Sequence, residues 1–123
     1  MLCVAASVRI AMHGYYQIDR DGTRVGEFVR ARTTDRDLVI MAFNDAYFLD
    51  PRYLYYAQRR GWSIRGDWLE PRAIEGLRPH GATVVVTSDL VPAPEPTEGY
   101  LKRLPLVDTL SLGEHHVYLR RIE

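Results

Sequence analysis

Much that usually announces a chemistry is missing from this sequence. Cysteine occurs once, as Cys3, which excludes an intramolecular disulfide and a cysteine-rich zinc site. Net charge is absent, because 16 basic and 16 acidic side chains cancel. A neutral domain exerts no strong overall pull on nucleic acid or on anionic lipid. No apolar run approaches the roughly 18–20 residues of a membrane span. The dinucleotide fingerprint, the P-loop and the Ser nucleophile elbow are missing too. Composition alone names no activity.

What is present is the material of one ordinary domain. The 123 residues are enough to bury a core without disulfide or metal support. Apolar residues make up 46% and charged residues 26%, a globular rather than disordered balance. Every basic residue except Lys102 is arginine. The arginines are spread along the chain among Asp and Glu. That pattern reads as a solvated, ion-paired surface rather than a nucleic-acid face.

Periodicity divides the chain into residues 1–20, a connecting segment or N-terminal helix, and a single α/β domain over 21–123. Val25, Phe28 and Val29 recur at helical spacing within 22–32. Leu38 to Phe43 is an unbroken apolar run, too short for a typical helix and covered on both faces, as in a parallel strand. Asp50 and Pro51 start a helix that runs to Arg60, with Gly61 as its left-handed stop. Trp62 to Ile64 reads as a short strand. Asp67 to Arg78 reads as a helix that Asp67 caps, with Pro71 in its first turn and Pro79 and Gly81 ending it. Ala82 to Thr87 is a second buried strand. Pro92, Pro94 and Pro96 make a stiff loop, and Thr97 caps a short helix after it. Val107 to Ile122 reads as two strands around a Gly113-Glu114 turn. The last strand has one wet face, as at a sheet edge. Alternating helices and buried strands predict a three-layer α/β/α sandwich of Rossmann-like kind, its sheet mostly parallel with an antiparallel C-terminal hairpin.

Ligands of open α/β sheets bind outside the carboxyl ends of the strands. Asn44 and Asp45 follow the first buried strand, and Ser88 and Asp89 end the second. These four are the candidate crevice residues, with ordinary loop and cap roles as the plainer alternative. His115 and His116 are adjacent on a strand and point to opposite faces, which argues against a metal site. Tyr53 and Tyr56 share a helix face, and Tyr55 lies off it. With Trp62 they form an aromatic cluster, read as packing or, alternatively, as a sugar-stacking surface. No catalytic residue, metal or cofactor is expected.

The segment Asp50-Pro-Arg-Tyr-Leu-Tyr-Tyr-Ala-Gln-Arg-Arg-Gly-Trp62 resembles one in polytopic glycosyltransferases. These are the membrane enzymes related to dolichyl-phosphate-mannose–protein mannosyltransferases and to aminoarabinose transferases of lipid A. Many bacterial members end in a soluble domain after their last span. The order of its parts matches Val25-Gly26, Leu38 to Phe43, Asp50 to Trp62, Leu77 to Val86, Tyr100-Leu101 and Val117 to Leu119. The resemblance runs from about Arg24 to the C-terminus, and its central segment carries most of the specificity. Pro79 and the triple-proline loop depart from the pattern.

The resemblance implies a non-catalytic, extracytoplasmic domain of a lipid-linked-sugar glycosyltransferase. Leu2 to Tyr16 would connect it to the last span. Its implied partners are a glycan or polyprenyl-phosphate sugar and the membrane part of the parent chain, with no nucleic acid. The family's catalytic acid lies in a region this chain lacks, so no catalytic residue carries over. Within the matching segment, Asp50, Pro51, Tyr56, Gly61 and Trp62 have structural explanations. Tyr55 and Arg60 are the ligand candidates, Arg60 because folding explains it least. An ion pair to Asp67 is its plainer role. The alternative function is a stand-alone α/β module binding a nucleotide or other small anion. A third expectation is an interaction protein that pairs through the strand Val117 to Arg120.

Overall fold

The computed structural model describes residues 22–44, 52–89 and 94–122. The reading of residues 1–20 lies outside them, as do Asp45, Asp50 and Pro51. The chain is helical over 22–32 (α1). Then follow β1 (Leu38–Asn44), α2 (Arg52–Ala57), β2 (Arg60–Arg65), α3 (Pro71–Leu77), β3 (Ala82–Ser88), α4 (Glu95–Lys102), β4 (Leu106–Leu112) and β5 (His115–Arg121). Single 3₁₀ turns at Gly66–Trp68 and Arg78–His80 flank α3.

The five strands form one sheet in the order β2-β1-β3-β5-β4. β1 is parallel to both β2 and β3, and β5 is antiparallel to both β3 and β4. Four strands therefore run one way and β5 alone runs back. From β1 the chain moves to β2 on one side, then crosses to β3 on the other. The pair β1/β3 is thus the switch point of the sheet.

Burial follows the alternation of strand side chains. On one face Val39, Met41, Val84, Val86, Val117 and Leu119 pack with Val25, Phe28 and Val29 of α1 and Leu54 and Ala57 of α2. On the other, Ile40, Ala42 and Val85 pack with Leu69, Ile74 of α3 and Leu101 of α4. Each fully buried aliphatic side chain contributes about 1.5–3 kcal/mol. Helical cover on the second face stops short of the hairpin, so Tyr118 and Arg120 are only half-buried there.

Several local expectations are corrected. α2 ends at Ala57, and Gln58, not Gly61, takes the left-handed conformation at φ 53°. Gly61 instead lies in β2 against the β1 backbone. α3 starts at Pro71 with Glu70 at its cap position, while Asp67 sits in the preceding 3₁₀ turn. Thr97 is inside α4, where its buried hydroxyl donates to the Leu69 carbonyl at 2.7 Å. β5 is an interior strand, and β4 and β2 are the edges, so pairing through Val117 to Arg120 has no free edge to use. The hairpin turn at Gly113-Glu114 is as expected. Gly113 alone has a positive φ there, the arrangement of a type II′ turn. None of the described helices is long and apolar enough to cross a membrane.

Candidate functional site

A groove opens at the switch point, between α4 and the half-covered face of β5. Its walls are Ala42 of β1, Thr87, Ser88 and Asp89 at the end of β3, Leu101 and Lys102 of α4, and Tyr118 and Arg120 of β5. Gly66, Leu69 and Glu98 complete it, and its volume is about 260 Å³. The strand order creates this gap. The chain leaves β1 toward one edge and β3 toward the other, so their carboxyl ends are not bridged by one connection.

Each polar group has a position that follows from the local fold. Tyr118 and Arg120 alternate with Val117 and Leu119, which point into the opposite core. Arg120 lies over the Tyr118 ring at 5.2 Å, and the His116 ring stacks near Tyr118 at 6.3 Å. The Arg120 guanidinium makes no hydrogen bond or ion pair to the described residues. Burial lowers its pKa below the usual arginine value, since a guanidinium loses hydration there. Lys102 reaches Glu98 at 3.6 Å, a solvent-exposed pair worth little.

Asp89 is already engaged. The His116 backbone N–H donates to its carboxylate at 2.7 Å, and the His116 ring Nδ1 lies 3.0 Å from the other oxygen. These contacts, the backbone donor first, hold its carboxyl below the usual Asp value. His115 Nδ1 also approaches the same carboxylate, at 3.8 Å. The two imidazoles were expected on opposite faces. Both reach Asp89 because they sit at the strand's start, beside the hairpin turn. Among the described residues no group of three His, Cys, Asp or Glu side chains is arranged to hold a metal.

The six sequence candidates separate. Ser88 and Asp89 line the groove, and Asn44 is the last residue of β1. Asp45 lies outside the described residues. Tyr55 and Arg60 are at the opposite end of the sheet, where Arg60 begins β2 opposite Leu38. They flank a separate shallow cavity and do not join the crevice. Arg60 opens β2 and Asp67 sits in the turn after its other end, so the length of the strand separates their backbones. Arg120 and Tyr118 were missed, because their alternation reads as a wet edge face. The usable signal was an arginine on a strand with no acid at the paired positions.

Comparison with protein-family models, with curated proteins and with solved structures gives no match. The functional reading therefore stands on geometry and on the resemblance of the 50–62 segment.

Proposed function

We propose that this chain binds, rather than transforms, an anionic glycan, as a non-catalytic extracytoplasmic domain of a membrane-embedded glycosyltransferase that uses lipid-linked sugars. The observation that carries the binding role is Arg120: a half-buried guanidinium in a groove whose described carboxylates, Asp89 and Glu98, are paired with His116 and Lys102 rather than with it. A carboxylate or phosphate on the ligand supplies the missing partner, in the bidentate form that arginine favours. Thr87 and Ser88 offer hydroxyls beside it, and Tyr118 offers a hydroxyl and a ring face for a sugar. A volume of about 260 Å³ is below that of drug-sized sites and suits one sugar with its charged group. The 50–62 segment supports the glycosyltransferase context. Helices packed on both faces support a three-layer, Rossmann-like reading of the fold.

The second reading is a stand-alone module that binds a nucleotide. The ring stack of His116, Tyr118 and Arg120 favours it, since a base would lie against such a row.

Ligand-observed NMR tests both, with carboxylated and phosphorylated glycans, polyprenyl-phosphate head-group mimics and nucleotides. The expected result is a glycan signal that Arg120→Gln weakens by about 10- to 100-fold, the worth of one charged hydrogen-bonding contact. A nucleotide signal alone selects the second reading. A panel without hits, or hits indifferent to Arg120→Gln, overturns the site. The accessory role further requires a reading frame that continues upstream of Met1 through several apolar spans, which the flanking DNA reveals.

A further inference from the structure

The neutral total hides an uneven distribution of charge among the described residues, with an excess of arginine at one end of the strands. β1, β2, β3 and β4 start at the same end of the sheet, because each runs parallel to the others. Cations gather at those starts. Arg36 precedes β1, Arg60 opens β2 and Arg103 precedes β4, all exposed, with exposed Arg30 in the last turn of α1. Arg59 is held beside Arg30 by donating to its carbonyl at 3.2 Å. The described acids in these turns are Asp37, which Arg121 pairs at 2.7 Å, and exposed Asp35. Around the opposite end Asp89, Glu95 and Glu114 stand among Arg24, Arg52, Arg65 and Arg72, so that end is mixed.

Helix dipoles explain part of this pattern. α1, α2, α3 and α4 all end at the basic side, and cations in their last turns are favoured. Arg36 and Arg60 lie outside any helix, so dipoles do not account for them. Of the large hydrophobics exposed among the described residues, Tyr55, Leu106 and Val107 are at this end and Trp68 is at the other. Tyr55 is 78% exposed beside Arg59 and Arg60, and Leu106 and Val107 are 53% and 42% exposed at the start of β4. Basic side chains along this end, with exposed Tyr55 at the β2 edge and Leu106 and Val107 at the β4 edge, match a lipid interface, where cations meet headgroups and apolar groups enter the acyl boundary. A nucleic-acid face has no use for Leu106 and Val107.

We propose that this basic end of the sheet is a docking surface for an anionic phospholipid membrane. The proposal is independent of the crevice and of its ligand. Flotation of the full chain with vesicles tests it, using phosphatidylcholine with and without phosphatidylglycerol. Binding is expected only with the anionic lipid and falls with salt. Each cation near such a surface strengthens binding about fivefold, so Arg36→Gln, Arg60→Gln and Arg103→Gln together weaken it on the order of 100-fold. The control, Arg24→Gln with Arg72→Gln, removes two charges elsewhere and leaves binding near the parent value, whereas any two of the three test substitutions are expected to weaken it by more than about tenfold. All five positions are exposed, so the folded state survives, as circular dichroism checks. Tyr55→Ser with Leu106→Ser is expected to leave binding that high salt abolishes. The proposal is overturned if the parent does not float, if the triple variant floats as well as the control, or if the chain retains single-stranded RNA instead of vesicles.

Discussion

Gly61 and Gly76 both lie in regular structure, yet a methyl group has opposite consequences at the two. At Gly61 φ is 155°, and an added Cβ would sit 1.8 Å from the Val39 carbonyl oxygen. β2 cannot retreat without breaking its pairing with β1. Gly61→Ala is therefore expected to cost about 3 kcal/mol or more. Gly76 is exposed in α3 with nothing within 4 Å of an added Cβ. Gly76→Ala is expected to stabilise by about 0.5–1 kcal/mol through helix propensity. Urea unfolding midpoints check both, and movement in the same direction would refute the steric account. The sequence marks Gly61 as special but not why. A glycine after a helix suggests a left-handed stop, whereas here Gln58 turns the chain and the Arg59 N–H closes back on the Leu54 carbonyl at 3.1 Å. Gln carries no signature for that role, and the β1 backbone that excludes a side chain at Gly61 is about 20 residues away in sequence.

Among elements, the clearest were those whose pattern does not depend on a neighbour. Leu38 to Phe43 and Ala82 to Thr87 are unbroken apolar runs, and unbroken runs need cover on both faces. β5 was misjudged because one wet face also arises in an interior strand that helices leave half-covered. The strand ends are tied by groups that no periodicity reveals. Asp37 accepts from the Thr34 amide at 2.8 Å, from the Thr83 hydroxyl of β3 at 2.9 Å and from Arg121 of β5 at 2.7 Å. Burial alone would raise its carboxyl pKa, but the Thr34, Arg121 and Thr83 donors together carry it below the usual Asp value. A depressed carboxyl means that the folded state binds fewer protons than the unfolded one. The stabilisation is thus complete above the unfolded value of about 3.9 and is lost as pH falls through the folded value. Asp37→Asn is expected to cost about 2 kcal/mol at neutral pH. In melts recorded down through the acid range, the gap between parent and variant narrows below pH ~3.9. A gap that stays constant to the lowest pH would mean that the charge of Asp37 is irrelevant.

At the scale of the molecule, the groove and the basic end constrain one another. The groove opens where β1 and β3 finish, and the cations stand where the parallel strands begin. A chain docked on lipid through Arg36, Arg60 and Arg103 turns the Ser88–Asp89 mouth of the groove toward the aqueous side, with Arg120 and Lys102 deeper, level with Leu106 and Arg103. That orientation favours a glycan or acceptor reaching in from solution over the phosphate of a lipid carrier. Formal charge gave no sign of it, since cancellation over the whole sequence says nothing about where topology puts each sign. Thiol accessibility measures the orientation in a Cys3→Ser background. A cysteine replacing Tyr55 is expected to be shielded from a polar maleimide when anionic vesicles are added. A cysteine replacing Glu114, exposed in the hairpin turn at the far end, is expected to react at an unchanged rate. Shielding of Glu114→Cys instead would put the groove against the bilayer, and the lipid-linked phosphate would then become the better candidate for Arg120.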